Sequence, residues 1–300
     1  MTLRVAIPDL VSPSYFPAIA AVELGCFAHE GFDATVELIY PVTRTYEELR
    51  EGHLDFVGGA AHAALYAFKD WQGAKLLCAL AQSMYWFLVI KSGLQVSRGD
   101  LAAVKGRRIG AAPGPVDGLK RMLAAAGIDP ERDVEIGPVP GTAGKTASFG
   151  LMAAKALQEG TIDGFWANGM GAEVAVRSGV GTLVLDARRD ASAEAKGYTF
   201  PALVTSRRLI DRNPDAARAA VRAVRQAQEI LRQNPERATE VGRKRFPPAE
   251  AELIAELVRR DAPFYDPGIS REAVAAMSRF ARELGLLSQT PGYEEVVWIG

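Results

Sequence analysis

Apolar residues along this chain switch repeatedly between two spacings. LRVAIPD (Leu3–Asp9) is a short β-branched run ending in a Pro/Ser loop, and Phe16–His29 then repeats apolar residues at helical spacing. The alternation continues as strand ATVELIY, helix TYEELREG closed by Gly52, strand LDFVGG, helix AHAALYAFKD, then strands KLLCALA and WFLVIKSG. A second run of the same kind follows: strand RRIGAAP, a helix over Val116–Ala126, strand VEIGPVP, helix LMAAKALQEG, strand DGFWAN, helix GAEVAVRSG and strand TLVLD. After Phe200 a short apolar segment, ALVTS, leads into helices that begin at Asn213, Pro248 and Ser270, where caps and early prolines favour starts. Two such alternating runs predict two parallel-rich α/β lobes. Neither a fixed-period solenoid repeat nor a linker between independent beads is present. Lys91–Asp100 and Ala191–Phe200 are therefore the expected crossings, which predicts a discontinuous lobe I (1–90 with 200–300) and an inserted lobe II (91–199).

Composition narrows the function. At 300 residues, with 48% hydrophobic and 24% charged, the chain is globular rather than fibrous or disordered. A net charge of -1, with no Lys/Arg stripe among aromatics, gives no expectation of a nucleic-acid partner. Cys26 and Cys78, with His29, His53 and His62, show no metal-ligand spacing, so no metal is expected and the cysteines read as small buried hydrophobes. The longest apolar stretch, Leu76–Ile90, is too short and too interrupted for a transmembrane segment. The N-terminus has one basic residue and an apolar run broken by Asp9, unlike a secretory leader. A periplasmic or extracytoplasmic location follows if a leader has been removed, and a cytoplasmic one otherwise.

GPVPGTAGKTASFG (Gly137–Gly150) carries the Gly-Lys-Thr of a nucleotide-binding phosphate loop. The loop needs a glycine five positions ahead of Gly144, where Val139 stands, and Pro138 and Pro140 each remove a backbone donor. No nucleotide and no other cofactor is expected. No Ser-His-Asp set, nucleophile elbow or glycosidase carboxylate pair appears, so no catalytic residue is assigned.

Several strings together carry a resemblance. ELGCFAHEGFDATVELI, ELREGHLDFVGGAAHAAL, VKGRRIGAAPGPVDGLKRMLAAAGIDPERDVEI and ALQEGTIDGFWANGMGAEVAVRSG occur in the order found in type II periplasmic binding proteins. They resemble the nitrate, taurine, alkanesulfonate and thiamin-pyrimidine-precursor branch of those ABC-importer solute-binding proteins. The resemblance implies an α/β fold of two lobes, each a mixed sheet flanked by helices, with a ligand cleft between them and hinge closure. It places ligand-facing loops at Asp9–Phe16, Gly58–His62, Gln82–Trp86, Pro113–Asp117, Gly141–Ser148 and Trp166–Met170. From these come the expected ligand-binding residues: Asp9, Ser12 and Tyr15; Gly59 and His62; Ser83 and Tyr85; Pro113 and Gly114; Thr142, Lys145 and Thr146; Trp166 and Asn168.

Among the loop aromatics, Tyr85 and Trp166 are the expected clamp for a planar ring, while Phe16 and Trp86 are expected to pack the cores. Lys145 is the basic residue best placed for an anion, with Thr142, Thr146 and Ser148 as neutral donors; Arg44 and Arg188 are weaker candidates. Asp9 either accepts ligand N–H groups or caps its turn. His62 either meets the ligand or is an ordinary helix-start histidine. Thiamin-pyrimidine synthases of this fold have a lysine four residues before such a histidine; here that position is Gly58, and their cysteine cluster is missing, so that reaction is not expected. The leading expectation is a solute-binding protein for a small planar anion, a carboxylate or sulfonate with an aromatic or heterocyclic body, partnered by an ABC permease if secreted. The alternatives are a cytoplasmic enzyme on the same scaffold, decarboxylase-like or otherwise converting an aromatic acid or pyrimidine-type metabolite, and a ligand sensor.

Overall fold

The computed structural model describes residues 2–142 and 148–300. Lys145 and Thr146 lie outside the described residues. Among the described residues ten strands form two five-stranded sheets. The first contains β1 (Thr2–Ile7), β2 (Asp33–Leu38), β3 (Phe56–Ala60), β4 (Ala74–Ala79) and β10 (Pro201–Ser206) in the order β2-β1-β3-β10-β4. The second contains β5 (Phe87–Lys91), β6 (Arg108–Ala111), β7 (Glu135–Gly137), β8 (Gly164–Ala167) and β9 (Gly181–Asp186) in the order β7-β6-β8-β5-β9.

Both sheets are mixed in the same way. β1 pairs in parallel with β2 and β3, and β6 with β7 and β8. In each sheet one strand runs antiparallel between two others: β10 between β3 and β4, and β5 between β8 and β9. The chain accordingly divides into two compact units, residues up to Ser83 with Gly197–Gly300, and Met84–Lys196. The sequence division at residue 90 assigned Phe87–Ile90 to the first lobe; the ladder bonds of β5 go instead to β8 and β9, so this strand belongs to the second sheet.

Helices complete each unit. β3 and β10 are buried along their whole length, which explains why their sequences are continuously apolar or small rather than alternating. The long helix Pro214–Gln233 lays an alanine-rich face, including Ala216, Ala220, Ala223 and Ala227, against the rest of the first unit, and Asn213 caps it by accepting the Ala216 N–H at 3.2 Å. Ser270 caps Arg271–Glu283 in the same manner, at 3.0 Å from the Ala273 nitrogen. No helix among the described residues is long and apolar enough to cross a membrane.

Three local expectations change. Phe16–His29 is broken at Gly25, whose φ of 77° ends one helix (Phe16–Glu23) and precedes a second turn (Cys26–His29). The helix expected over 61–70 is two 3-10 stretches, Ala61–Tyr66 and Lys69–Trp71, because Asp70 and Trp71 take left-handed backbone angles. VEIGPVP keeps only three strand residues, since its prolines cannot donate to a ladder. Cys26 and Cys78 are buried free thiols, as expected.

One clasp occurs twice. Asp55 accepts the backbone N–H of Arg4 at 2.9 Å, while the Arg4 guanidinium donates to the Gly52 carbonyl at 3.3 Å. In the second unit Asp163 accepts the Arg108 N–H at 2.9 Å, and Arg108 donates to the Gly160 carbonyl at 3.2 Å. Each clasp joins a helix end and the start of one strand to the neighbouring strand, which explains the repeated strings EGHLD and EGTID. Asp55→Ala strands a buried N–H group and is expected to lower the unfolding free energy by about 1–3 kcal/mol, measured by urea denaturation. Burial pushes the Asp163 carboxyl up, but the bonds from Arg108 outweigh it and hold its pKa below the ordinary 3.8. Its contribution is therefore complete above 3.8 and is expected to disappear as pH falls through the depressed value, which acid titration of Asp163→Asn beside the parent protein would show.

Candidate functional site

In the first unit β1, β3 and β4 point the same way, so their C-terminal ends and the start of β10 share one edge of the sheet. That edge gathers the loop carrying Asp9, Ser12 and Tyr15, the Gly59–His62 passage, and the segment ending at Ser83. Asp9 is 6% exposed and its Oδ1 accepts the Val11 N–H at 3.3 Å, so its carboxylate shapes the turn. Ser12 is fully buried, and its Oγ has no hydrogen-bond partner among the described residues. Tyr15 is buried and stands at the N-cap of Phe16–Glu23; the loop before it is held by Tyr265, whose hydroxyl donates to the Pro13 carbonyl at 2.6 Å. Ser83, the last residue of this part of the unit, has a φ of 64°.

Gly59 and His62 are closely packed. A Cβ on Gly59 would stand 2.9 Å from the Tyr46 hydroxyl, which donates to the Ala60 carbonyl at 3.0 Å. The His62 ring is fully buried, edge-on to Phe280 at 5.3 Å, and Phe280 stacks on Tyr198 at 4.5 Å. The His62 N–H donates to Thr199 Oγ1 at 3.4 Å.

In the second unit β6 and β8 are parallel, and their C-terminal ends face the same way as the start of antiparallel β5. Tyr85, Trp86 and Trp166 form one aromatic cluster there. Tyr85 and Trp86 lie 4.5 Å apart, and Trp86 and Trp166 lie 6.1 Å apart. The Arg188 guanidinium stands 6.0 Å over the Tyr85 ring, and Arg188 is only 2% exposed rather than a surface residue. Trp166 is fully buried and its Nε1 donates to the Pro115 carbonyl at 2.9 Å, fixing the start of Pro115–Ala125. The sequence separated Trp86 from Tyr85 and Trp166; packing joins all three. Pro113 is exposed, and Gly114 supplies the φ of 87° that turns the chain into this helix.

Two further helices begin beside each other. Asn168 caps Gly169–Arg177 by accepting the Gly171 N–H at 3.0 Å. Ser148 stands at the N-cap of Phe149–Gln158, is 9% exposed, and its Oγ has no hydrogen-bond partner among the described residues. A Cβ on Gly171 would come within 2.5 Å of the Gly150 carbonyl oxygen, and one on Gly150 within 2.8 Å of Asn168 Oδ1. The first turns therefore touch backbone to backbone, bringing two positive dipole ends together. The Thr142 hydroxyl donates to the Val139 carbonyl at 2.7 Å. The sequence argument missed Gly150 and Gly171; a glycine in the first turn of each of two helices was the available signal.

Elsewhere Arg44 is exposed and pairs with Glu47 and Glu48 on its own helix. Glu48, Glu51 and His53 come within ligand distance of one another, but His53 Nδ1 lies 2.6 Å from Glu48 and the group forms an exposed helix end.

Residues 12–238 match the model of the family described as NMT1/THI5 like. The chain belongs to the NMT1/THI5-like family. No curated protein matches it by sequence. Among solved structures it is similar to the alkanesulfonate-binding protein SsuA from Xanthomonas axonopodis pv. citri bound to MOPS, with a TM-score of 0.74 at 16% identity over 99% of this chain and 96% of that one. The nitrate-binding protein NrtA from Synechocystis PCC 6803 gives 0.71 at 16% identity over 98% and 83%. The desulfurization enzyme DSZB, in a variant holding biphenyl-2-sulfinic acid, gives 0.69 at 15% identity over 99% and 96%. The fold is thus the type II periplasmic-binding-protein fold.

In this chain Gly58, four residues before His62, lies in a tightly packed place in β3. A Cβ at Gly58 would already lie 3.1 Å from Ile7, 3.2 Å from Leu80 and 3.3 Å from Ala18, so a larger side chain would displace the sheet's packing. Gly171→Ala is expected to push the two helix starts apart and to cost about 1–3 kcal/mol of stability, read from the midpoint of urea unfolding.

Proposed function

We propose that this protein is the solute-binding component of an ABC importer and takes a small oxyanion, a sulfonate or carboxylate on a planar aromatic or heterocyclic body. The observation that carries the reading is the pair of touching helix starts at Gly150 and Gly171 with the Ser148 hydroxyl beside them. Helix N-termini offer N–H donors and a positive partial charge without a full cation, which suits an oxyanion that must also be released. The neighbours named as alkanesulfonate-binding and nitrate-binding support this class of ligand, and the aromatic cluster of Tyr85, Trp86 and Trp166 lies in the same unit. Such a protein works outside the cytoplasm and delivers its ligand to a membrane permease.

The DSZB neighbour favours an enzyme as the second reading. Against a cysteine nucleophile in this chain, burial pushes the Cys26 thiol up to about 11 and the Cys78 thiol up to about 12, leaving almost no thiolate at neutral pH. Native mass spectrometry of the purified protein, followed by re-incubation with the released compound, separates the two readings. Stoichiometric return of an unchanged oxyanion is expected, whereas its conversion to a second compound would overturn the transport reading. Ser148→Ala is expected to weaken binding of that oxyanion about tenfold by calorimetry, the equivalent of one charge-assisted hydrogen bond.

A further inference from the structure

A cavity lies in the first unit, at the sheet edge opposite the loops of Asp9 and His62. Gly73 precedes β4 and Arg207 follows β10, and the Arg207 N–H donates to the Gly73 carbonyl at 2.7 Å. Ala60, Ala79 and Pro201 mark the other ends of these strands, roughly 17–20 Å away at strand rise. The cavity measures about 520 Å³, within the range of small-molecule sites.

Its wall is built from chain segments distant in sequence and tied together. Asp70 and Trp71 both hold left-handed backbone angles, φ 49° and 61°, a strained arrangement for residues with side chains. The Asp70 carboxylate accepts the Ser288 N–H at 2.8 Å and its hydroxyl at 2.9 Å, which holds its pKa below the usual range and clamps the C-terminal segment over the turn. Trp71 is 2% exposed and lines the cavity, and its indole Nε1 has no acceptor among the described residues. A buried N–H without an acceptor carries a desolvation penalty that a bound acceptor removes.

Charge decides what that acceptor belongs to. The lining holds one guanidinium, Arg207, and two carboxylates, Asp70 and Glu295. The nearby Lys75 ammonium is already satisfied, donating to the carbonyls of Glu294 at 2.5 Å and Glu295 at 2.7 Å. A simple anion would meet more negative than positive charge here, and a simple cation would leave the guanidinium and the indole N–H without acceptors. We propose that this cavity binds a zwitterionic α-amino acid, its carboxylate on Arg207 and the Trp71 N–H and its ammonium toward Asp70 and Glu295. Arg207 recognises a carboxylate through paired N–H donors, and Leu287 with the Trp71 ring gives the ligand's side chain an apolar contact. The site is independent of the oxyanion site, since no lining residue belongs to the second unit.

The test is a thermal-shift screen of the full chain with each standard L-α-amino acid, followed by calorimetry on those that raise Tm. At least one amino acid is expected to bind, while its amino-alcohol and N-acetyl analogues are not. Arg207→Met, at an exposed position, is expected to weaken binding about tenfold or more, and Trp71→Phe, which keeps a ring but removes the N–H donor, by several-fold. The proposal is overturned if no amino acid shifts the parent protein. It is equally overturned if Arg207→Met binds as well as the parent, or if Ser148→Ala abolishes the amino-acid response and Arg207→Met leaves it intact.

Discussion

Each sheet depends on a strand that the chain supplies against the prevailing direction. β10 fills the place between β3 and β4, with hydrogen bonds on both sides and every residue buried. Without it β3 and β4 would present unpaired backbone to the interior, a cost no helix packing could offset. β5 occupies the equivalent place between β8 and β9. The order in which the chain visits its two sheets follows from this requirement. The first sheet cannot close until more than a hundred residues of intervening chain have been made, so its pairing is a long-range event.

Small residues then set how closely the helices approach. Gly59 lets Tyr46 reach the Ala60 carbonyl, the alanines of Pro214–Gln233 let that helix lie against the first unit, and Gly150 and Gly171 let two first turns touch. The last of these contacts carries chemical meaning. Two helix starts brought within backbone contact concentrate positive dipole ends that neither helix would concentrate alone. Anion binding of the kind proposed rests on adjacent helix N-termini rather than on a phosphate loop.

The two candidate sites differ in how they are made. The helix-start site uses residues from neighbouring elements of one unit, whereas the amino-acid site needs residues near 70, near 207 and near 288 at once. Asp70 is the joint between them, because the carboxylate that stabilises a strained turn also anchors the segment that closes the cavity. A strained turn, a buried donor and a docked C-terminal segment together describe a place where the fold retains a local cost, as binding sites do.

Much of this was legible in the residues. The strand and helix alternation and the caps at Asn213 and Ser270 follow from local patterns, because periodicity and capping are decided within a few residues. The family strings identified the type II binding-protein fold. Tertiary structure alone decided that Phe87–Lys91 belongs to the second sheet, since an apolar strand does not state its partners. It also decided that Asp70 and Trp71 break a helical pattern, that His62 turns its ring to Phe280, and that Gly150 meets Gly171. Those outcomes depend on contacts between residues far apart in the chain. A sequence read position by position fixes what each residue is able to do, and the packed structure selects which neighbours let it do so.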